Sequence, residues 1–487
     1  MTTTDAFEYY LADGARRGPA PAGWHSGAAG GAPCGDVVRV SLSIREGTVV
    51  SVRFDAEGCS SAIAAGSAVA EAVEGLEVLE AARVGPDDVA EALDGLSPQG
   101  RHGADLAADA LHRALAAAIA SRDSLTSIAP ERNGRVLVAM SGGVDSAVAA
   151  WLERRRGVEV VAVTVKLWAD RATDGARSCC SPEAVVGARA LAHSMGMAHL
   201  TMDLEDEFRS AVVDDFLSGH EQGRTPNPCV RCNGGVRLDA MADLAERLGA
   251  GRLATGHYAR IADDGDGPLL VAPADGAKDQ TYMLSAVEPA TLARLRFPLA
   301  ELTKGQVRRI AAEAGLPVAS KRESQDLCFL AGQGKRSFLA RHARVPEREG
   351  EIVDRSGRVL GHHGGHHNFT VGQRRGLGLS SPDPLYVLET DPDSNRVVVG
   401  SRVELETTRV VVRDAVLRRD GHRVDRVRLR YHSRPLRCGV HNGSAPLRAG
   451  RHDELVVRLE EPAAGVAPGQ TASLLDGDSV VGYGTIA

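Results

Sequence analysis

The chain has 487 residues, which at about 150 residues per domain predicts about three domains. Its content of 43% hydrophobic and 25% charged residues is typical of globular proteins and excludes wholesale disorder or a fibrous repeat. No apolar run approaches the roughly 20 residues that span a bilayer, and the acidic first 15 residues lack the apolar core of a secretory signal. We therefore expect a cytoplasmic protein with no membrane partner, whose eight cysteines are metal ligands or catalytic thiols.

The net charge of −7 is distributed unevenly along the chain. Residues 1–126 contain 9 basic and 18 acidic side chains, whereas residues 127–487 contain 48 and 46. The stretch 407–438 has ten Arg and three Asp residues. A nucleic-acid partner is therefore compatible with the C-terminal part and not with the N-terminal part. Arg outnumbers Lys by 52 to 5, which mostly reflects a coding bias. A single arginine is therefore weak evidence for a nucleic-acid partner.

Residues 1–126 are expected to form an α+β domain. Residues 1–33 are rich in Gly, Ala and Pro and predict a loose arm with one short helix near 7–11. Apolar and polar residues then alternate on both sides of a turn at 45–47, which indicates a β-hairpin. Helices are predicted at 61–73, 86–94 and 104–121, and a linker at 123–133.

Residues 127–340 are expected to form a second domain, in which strands alternate with helices. That alternation predicts a doubly wound parallel α/β sheet. The predicted strands cover 136–140, 158–166, 199–204 and 252–255. The predicted helices cover 147–156, 184–195, 208–220, 235–248, 289–295 and 304–315. From Gly350 onward, short alternating runs separated by turn residues indicate two small β domains, 341–405 and a barrel-like 406–487.

A Gly-rich turn with the sequence SGGVDS occupies Ser141–Ser146, between a predicted strand and a predicted helix. Backbone N–H groups in such a turn, together with the helix N-terminus, favour binding of an anion. The Asp145 carboxylate can hold Mg²⁺ or orient the loop. The alternative is an ordinary strand–helix turn. No GxxxxGK[ST] motif occurs in the chain, and the turn instead resembles the PP-loop of ATP pyrophosphatases, which split ATP between its α and β phosphates and adenylate a substrate oxygen.

Three further cysteines lie in polar segments. Cys229 and Cys232 belong to TPNPCVRCN, and Cys328 belongs to KRESQDLCF. Pro226 and Pro228 disfavour a regular helix, so we expect both thiols of the first segment on a stiff loop. A thioredoxin-like thiol pair and inert thiols are the alternatives at this point.

Seven ordered motifs between 135 and the C-terminal part carry a family resemblance. They are SGGVDS, Cys179-Cys180-Ser181, TPNPCVRCN, ATGHY at 254–258, KDQTY at 278–282, ESQDLCF and FTVGQRRGLG at 369–378. In this order they resemble the tRNA-specific 2-thiouridine synthases. The resemblance implies ATP-dependent sulfur transfer to C2 of the wobble uridine, position 34, of tRNA, with a sulfur donor such as a cysteine desulfurase or a sulfur relay protein as partner.

The resemblance also implies roles for individual residues. The ATP-binding residues would be Ala139, Met140, Ser141, Gly142, Gly143, Val144, Asp145, Ser146, Val165 and Gly256. The tRNA-binding residues would be Asn227, Pro228, His257, Lys278, Asp279, Gln280, Arg430, Tyr431 and Gln470. Cys232 and Cys328 match the two active thiols, and Cys229 stands where many relatives have Asp.

The thiol at Cys229 favours one of two sulfur chemistries. A carboxylate at this position would assist a persulfide on Cys328 that Cys232 later releases by closing a disulfide. Three thiolates instead suit a [4Fe–4S] cluster with one open iron, held by Cys229, Cys232 and Cys328. We expect the cluster, with the persulfide, or a zinc site completed by His257, as the alternatives.

The N-terminal segment carries a second resemblance. Cys34, Asp36, Cys59 and His102 lie in contexts similar to iron–sulfur scaffold proteins of the NifU/IscU type. They are a candidate Fe–S or Zn ligand set. Gly103 stands where the third scaffold cysteine is expected, so a decayed scaffold retained for docking is the alternative.

Two features receive a structural interpretation. The histidines of HHGGHH at 362–367 are expected to be exposed in a loop, and Cys179 and Cys180 to have an accessory role. The function expected overall is a tRNA-uridine 2-sulfurtransferase that uses ATP, Mg²⁺ and a [4Fe–4S] cluster. The alternatives are an iron–sulfur scaffold or carrier with a regulatory nucleotide-binding domain, and a PP-loop ligase of small metabolites.

Overall fold

The structure is a computed structural model, and it describes residues 3–31, 35–121, 134–168, 181–321, 327–330, 333–343, 348–442 and 446–487. The candidate ligand Cys34, the pair Cys179 and Cys180 and the linker predicted at 123–133 lie outside the described residues.

The N-terminal domain is a three-stranded antiparallel sheet in the order β1-β2-β3, covered by helices. Its elements are α1 (Thr3–Ala12), β1 (His25–Gly30), β2 (Val37–Arg45), β3 (Thr48–Glu57), α2 (Ser60–Val73), α3 (Val78–Ala81), α4 (Pro86–Ala92) and α5 (Arg101–Ala120). The predicted hairpin is confirmed as β2 and β3, because their alternate apolar side chains are buried under the helices. The α+β class predicted for this domain is therefore confirmed.

The loose arm predicted for residues 1–33 is wrong, because β1 pairs with β2 along six residues. The strand has the sequence HSGAAG and no β-branched residue, so it gives no strand signal. A Cβ atom at Gly27 would lie 2.3 Å from the backbone nitrogen of Ala114. The small residues of β1 therefore serve to bring α5 directly against the sheet.

The second domain has a five-stranded parallel sheet in the order β10-β7-β4-β5-β6, which confirms the predicted doubly wound α/β class. Its sheet strands are β4 (Arg135–Ala139), β5 (Glu159–Lys166), β6 (Ala198–Asp203), β7 (Arg252–Ala254) and β10 (Leu295–Arg296), and a hairpin adds β8 (Arg260–Asp263) and β9 (Pro268–Val271). Successive strands β4, β5 and β6 extend to one side, whereas β7 and β10 extend to the other. The strand order therefore reverses at β4, which is where open α/β sheets bind ligands.

Helices cover this sheet. They are α6 (Val144–Arg154), α7 (Pro182–Ser194), α8 (Glu205–Phe208), α9 (Asp214–Glu221), α10 (Pro228–Cys232), α11 (Leu238–Arg247), α12 (Thr281–Leu284), α13 (Pro289–Arg294), α14 (Lys304–Glu313) and α15 (Lys335–His342). Two π-helical turns, Arg209–Val213 and Asn233–Arg237, join α8 to α9 and α10 to α11. The predicted helix at 208–220 is thus an interrupted one.

The C-terminal part consists of two β domains, as predicted. The first has β11 (Gly350–Val353), β12 (Val359–His363), β13 (Tyr386–Asp391) and β14 (Arg396–Gly400). The second has β15 (Glu406–Leu417), β16 (Arg426–Arg428), β17 (Leu436–His441), β18 (Gly450–Ala464), β19 (Thr471–Asp476) and β20 (Ser479–Ile486). Strand β15 pairs with both β18 and β20, which closes a six-stranded barrel.

The barrel is joined to the second domain by a shared sheet. Strand β9 pairs with β20, so the hairpin of β8 and β9 extends the barrel. At the same junction, Arg419 and Arg423 each form an ion pair with Asp264 at 2.6 Å. The hydrogen bonds from these arginines hold the pKa of the Asp264 carboxyl well below its usual range.

The exposure predicted for the histidines of 362–367 is wrong for three of them. His363, His366 and His367 are buried, with at most 9% of each residue exposed. The His366 ring lies 3.2 Å from Asn395 Oδ1 and 3.1 Å from the carbonyl oxygen of Glu221. The tract therefore fills the junction between the first β domain and α9, a long-range contact that a local composition of glycine and histidine does not indicate.

None of the described helices is both long enough and apolar enough to span a membrane.

Helix α5 packs against α2 at Gly103. A Cβ atom at this position would lie 2.6 Å from the carbonyl carbon and oxygen of Ser61. We therefore expect Gly103→Ala to lower the free energy of unfolding by roughly 1–3 kcal/mol, the usual cost of overpacking. The matched control is Gly187→Ala in α7, where a Cβ atom meets nothing within 4 Å.

Gly187→Ala should stabilise the protein by roughly 0.5–1 kcal/mol, since alanine is the better helix former. Thermal and denaturant unfolding of both variants measures the difference. Equal stability of the two would show that α5 and α2 are not in close contact. For the same steric reason, a cysteine at 103 would not restore the missing scaffold ligand without moving α2.

Candidate active site

The Gly-rich turn lies between the end of β4 and the start of α6, at the point where the strand order reverses. Gly142 has a φ of +67°, which favours glycine, and Gly143 is the residue that precedes the helix. The Ser146 hydroxyl donates to the carbonyl of Gly143 at 3.1 Å and accepts from Ser141 N at 3.2 Å. The loop is thus closed on itself, with the first N–H groups of α6 available for an anion.

A cavity of about 220 Å³ opens above this loop. Its lining residues are Ala139, Met140, Ser141, Asp145, Ser146, Val163, Thr164, Val165, Leu167, Arg237, Leu238, Met241, Thr255, Gly256, His257 and Gln280. Seven of the ten residues predicted for ATP are among them. The other three, Gly142, Gly143 and Val144, form the turn below the cavity and the start of α6.

Gly256 brings the strand end after β7 against the first turn of α6. A Cβ atom here would lie 2.7 Å from Ser146 N and 2.8 Å from the carbonyl carbon of Asp145. Only glycine permits this approach, so Gly256 shapes the cavity through its backbone.

Two lysines and a tyrosine at the loop were not predicted from the sequence. Lys304 Nζ lies 2.7 Å from both carboxylate oxygens of Asp145, and the Tyr258 hydroxyl donates to Asp145 Oδ1 at 2.9 Å. Lys321 Nζ donates to the carbonyl of Gly142 at 2.8 Å. The composition offered one indication of these lysines. The chain contains only five lysines beside 52 arginines, and the two side chains are not interchangeable at a binding site, so a lysine in this chain is a candidate functional residue.

The predicted stiff loop around Cys229 and Cys232 is wrong, because both cysteines lie on the helix α10. Pro228 occupies the first position of this helix, where its missing N–H is not needed. Asn227 Oδ1 accepts from Cys229 N and Val230 N, both at 3.2 Å, and so caps the helix. Cys229 and Cys232 therefore lie on successive turns of one face.

The three candidate thiols are largely withdrawn from solvent. Cys232 is buried, and Cys229 and Cys328 are half-buried. Burial raises the pKa of Cys229 to about 11, and the nearby Cys232 thiol adds to this effect. Cys328 starts a short 3₁₀ turn and packs against the same hydrophobic core that contains Cys232.

The described residues include no group of three or more His, Cys, Asp or Glu side chains arranged to hold a metal ion. The donor chemistry of Cys229, Cys232 and Cys328 suits an iron–sulfur cluster, since thiolates are its usual ligands. Their side chains do not form a three-donor set as they stand. Cluster binding would therefore require the thiols to move closer together.

The barrel lies directly beside the segment that precedes the cysteines. Gln470 Nε2 donates to the carbonyl of Thr225 at 2.7 Å, and Thr225 N donates to the carbonyl of Pro468 at 2.7 Å. The Tyr431 ring centroid lies 6.3 Å from that of Tyr282. The structure thus brings Tyr431 and Gln470 of the barrel together with the segment that holds Asn227 and Pro228.

Of the other residues predicted for tRNA, His257 and Gln280 line the cavity. Gln280 Oε1 accepts from Tyr258 N at 2.9 Å, and Lys278 ends a short 3₁₀ turn before it. Asp279 is buried and paired with Arg428 at 2.7 Å, so its carboxylate is engaged within the protein. Burial lowers the pKa of His257 to about 3, with a smaller effect of Arg237. His257 is therefore neutral.

Most of the arginines in 407–438 serve the fold. Six of the ten form ion pairs: Arg413, Arg419, Arg423, Arg426, Arg428 and Arg434. Arg418 is half-buried and donates to the carbonyls of Ser285 and Val287. Within the described part of the chain, Arg409, Arg430 and Arg437 have no ion-pair partner. These three side chains remain available for an external anion.

Three of the four candidate ligands in the N-terminal domain are described and lie near one another. Asp36 Oδ1 accepts from Cys59 N at 2.9 Å. Hydrogen bonds from Cys59 lower the pKa of Asp36, and the charge of His102 acts in the same direction. Cys59 is exposed at the start of α2, and His102 belongs to the first turn of α5.

Four family models match consecutive parts of the chain. Residues 13–124 match the NifU-like N terminal domain, and residues 134–332 match the tRNA methyl transferase HUP domain. Residues 336–401 match the tRNA methyl transferase PRC-barrel domain, and residues 418–486 match the aminomethyltransferase beta-barrel domain. These four units follow the order of the four domains in the structure and define a PP-loop enzyme fused to a scaffold-like domain.

Two relatives cover most of the chain. It is 49% identical to the "Bifunctional protein NifU/MnmA" of Rubrobacter xylanophilus over 472 residues, which are 95% of this chain and 93% of that protein. It is 43% identical to the "tRNA-specific 2-thiouridylase MnmA" of Acidithiobacillus ferrooxidans over 359 residues, 72% of this chain and 98% of that one. The chain therefore belongs to the MnmA family of tRNA 2-thiouridylases, in the form that carries an N-terminal NifU-like domain.

Gly256→Ala should weaken ATP binding roughly tenfold or more, because the new methyl group must displace the first turn of α6 at an overpacking cost of about 1–3 kcal/mol. Calorimetric titration with a non-hydrolysable ATP analogue measures this. The control is Gly251→Ala, immediately before β7, where a Cβ atom meets nothing within 4 Å. Unchanged affinity in Gly256→Ala would contradict the role given to this contact.

Proposed function

We propose that this protein is an ATP-dependent tRNA-uridine 2-sulfurtransferase that acts on the wobble uridine, position 34. The observation that carries the proposal is the shared location of two features. The helical run from α10 through α11 bears Cys229 and Cys232 at its start and forms the cavity wall further on, at Arg237, Leu238 and Met241. A nucleotide above the PP-loop and a base near the thiols would thus lie on either side of one wall.

The lining of the cavity suits ATP in one orientation. Val163, Leu167 and Met241 provide apolar surface for the adenine, while the loop and the N-terminus of α6 would bind the phosphates. Mg²⁺ is usually bound by one or two carboxylates together with substrate phosphates, and Asp145 would take this role once the ATP phosphates draw Lys304 away from its carboxylate. Lys304, which pairs with Asp145, and Lys321 would stabilise the charge that develops on the leaving pyrophosphate.

The reaction requires two displacements. Uridine O2 attacks the α-phosphorus of ATP, and the bond to the β-phosphate breaks with its electron pair on pyrophosphate. A sulfur nucleophile then attacks C2, and AMP leaves with O2 and the electron pair of the C2–O2 bond. Because both reactions take place at the base, the uridine must leave its stack to reach the site. The neutral His257 and the amide of Gln280, both in the cavity lining, are suited to contact such a base.

For the second displacement we propose a [4Fe–4S] cluster held by Cys229, Cys232 and Cys328. When bound, such a cluster would supply an open iron position at which hydrosulfide is activated. Two features support this assignment: the three cysteines supply thiolate ligands of the kind that such clusters use, and a NifU-like domain is present in the same chain. The persulfide route through Cys328 and Cys232 is the competing proposal, and it would gain from an acid–base carboxylate at position 229, where this chain has a cysteine.

The N-terminal domain would receive iron or sulfur from a donor such as a cysteine desulfurase or a sulfur relay protein. Its candidate ligands are Cys34, Asp36, Cys59 and His102. The exposed Cys59 at the start of α2 is accessible to such a partner, and the acidic charge of residues 1–126 makes this domain unsuited to bind tRNA.

Arg430→Ala should weaken tRNA binding several-fold and lower the salt dependence of the affinity by about one released counterion, because Arg430 is exposed and has no ion-pair partner among the described residues. ATP affinity should not change. The control is Arg434→Ala, which removes an arginine already paired with Glu461. Filter-binding titrations at several salt concentrations measure both, and equal salt slopes for the two variants would count against a phosphate contact at Arg430.

Anaerobic purification of the unmodified protein should give iron and sulfide in amounts expected for a [4Fe–4S] cluster, with the corresponding Mössbauer spectrum. Cys229→Ala should lose this signal together with thiolation. Cys438→Ala, which changes a thiol buried in the barrel, should retain both the iron signal and thiolation. The iron content of Cys59→Ala shows how much of the total iron is held by the N-terminal domain. Full activity of an iron-free preparation, or unchanged turnover of Cys229→Ala, would end the cluster proposal.

A further inference from the structure

Three histidines, two of them buried and one half-buried, meet where the N-terminal domain contacts the catalytic sheet. They are His112 of α5, His193 of α7 and His199 of β6. The ring centroid of His112 lies 5.3 Å from that of His193 and 6.4 Å from that of His199. Since β6 is the edge strand of the sheet, this junction covers an edge with unpaired backbone groups.

The turn at 82–84 of the N-terminal domain supplies the partners. His199 N donates to the carbonyl of Ala82 at 3.1 Å. His193 Nε2 lies 3.1 Å from the same carbonyl, and His112 Nε2 lies 2.9 Å from the carbonyl of Val84. Because a carbonyl oxygen only accepts hydrogen bonds, both imidazoles must carry their proton on Nε2.

His199 connects this junction to the nucleotide cavity. Its Nε2 lies 2.9 Å from the hydroxyl of Thr164, and that hydroxyl donates to the carbonyl of Met140 at 2.9 Å. The hydroxyl has one hydrogen, which is used on the carbonyl, so Nε2 of His199 must donate to it. Thr164 and Met140 both line the cavity, and Met140 is the residue that leads into the PP-loop.

Burial determines the protonation state of these imidazole rings. His112 and His199 are 3% and 0% exposed, and desolvation holds the pKa of each well below its usual range. The charge of Arg189 acts in the same direction, and Arg189 itself is paired at 2.8 Å with Asp109 of α5. Burial beneath the turn at 82–84 and α5 thus keeps His199 neutral, and the hydrogen bond to Thr164 keeps its proton on Nε2.

We propose that the N-terminal domain is a structural component of the nucleotide site and that His199 is the positioning residue through which it acts. The turn at 82–84 and α5 exclude water from His199. His199 then orients the Thr164 hydroxyl, which holds the Met140 carbonyl at the start of the loop. The inference rests on the proposed binding of ATP in this cavity and gives the NifU-like domain a role apart from iron or sulfur delivery.

The test compares variants of the 487-residue chain. His199→Leu and Thr164→Val should each raise the KM for ATP and the Kd of a non-hydrolysable ATP analogue roughly three- to tenfold, the effect of losing one buried hydrogen bond. The kcat at saturating ATP should change little. Because both changes break the same link, the double variant should show no more than the larger single effect.

Conservative and matched variants separate positioning from general stability. His199→Gln should keep much of the ATP affinity that His199→Leu loses, since the glutamine amide can donate a hydrogen bond to Thr164. If His199 only filled space, glutamine would not recover this affinity. His220→Leu removes another buried neutral histidine of the same domain and should leave ATP affinity unchanged. His112→Leu alters only the N-terminal domain and should raise the Kd in the same direction as His199→Leu.

Unchanged nucleotide affinity in Thr164→Val, a nearly isosteric change that keeps the fold, would overturn the link to the cavity. A raised Kd in His199→Leu and Thr164→Val with no change in His112→Leu would overturn the contribution of the N-terminal domain. The analogue titration does not depend on thiolation. Absence of thiolation in the unmodified protein would therefore count against the proposed function and not against this inference.

Discussion

The close approach of Gly256 to the first turn of α6 is the contact on which the rest of the site depends. It places the end of β7 against the PP-loop, at the position where the strand order of the parallel sheet reverses. The cavity lies between these two strand ends, and its lining includes His257, Gln280 and Asp145, the last of which is paired with Lys304. A side chain at 256 would separate the walls, so the glycine at this position determines the width of the cavity.

The domains contribute to this site by different physical means. The barrel is joined to the catalytic domain by strand pairing and by the ion pairs of Asp264 with Arg419 and Arg423. The N-terminal domain is joined by histidine contacts, by a backbone hydrogen bond to the edge strand β6 and by the ion pair of Asp109 with Arg189. The second junction lies next to the nucleotide cavity and buries His112 and His199.

Much of the fold follows from local patterns in the sequence, and the departures have identifiable causes. The hairpin of β2 and β3, the PP-loop and the barrel were predicted from alternation and glycine spacing. Strand β1 was missed because Gly27 and its small neighbours are selected for contact with α5. The helix α10 was missed because Pro228, which usually breaks helices, starts one here under the cap of Asn227. Lys304 and Lys321 were missed because they reach the loop from segments far along the chain, which no local pattern reveals.

The pairing of β9 with β20 has a consequence for the RNA. A sheet shared by the barrel and the hairpin of β8 and β9 would resist hinge motion, and it would then hold Arg430 and the thiols of α10 at a nearly constant separation. An RNA that contacts both Arg430 and the region of the thiols must adopt the shape that this separation requires. The RNA, and not the protein, would then have to deform when its loop opens. Discrimination among RNAs would then depend on how easily each loop deforms, in addition to the bases it displays.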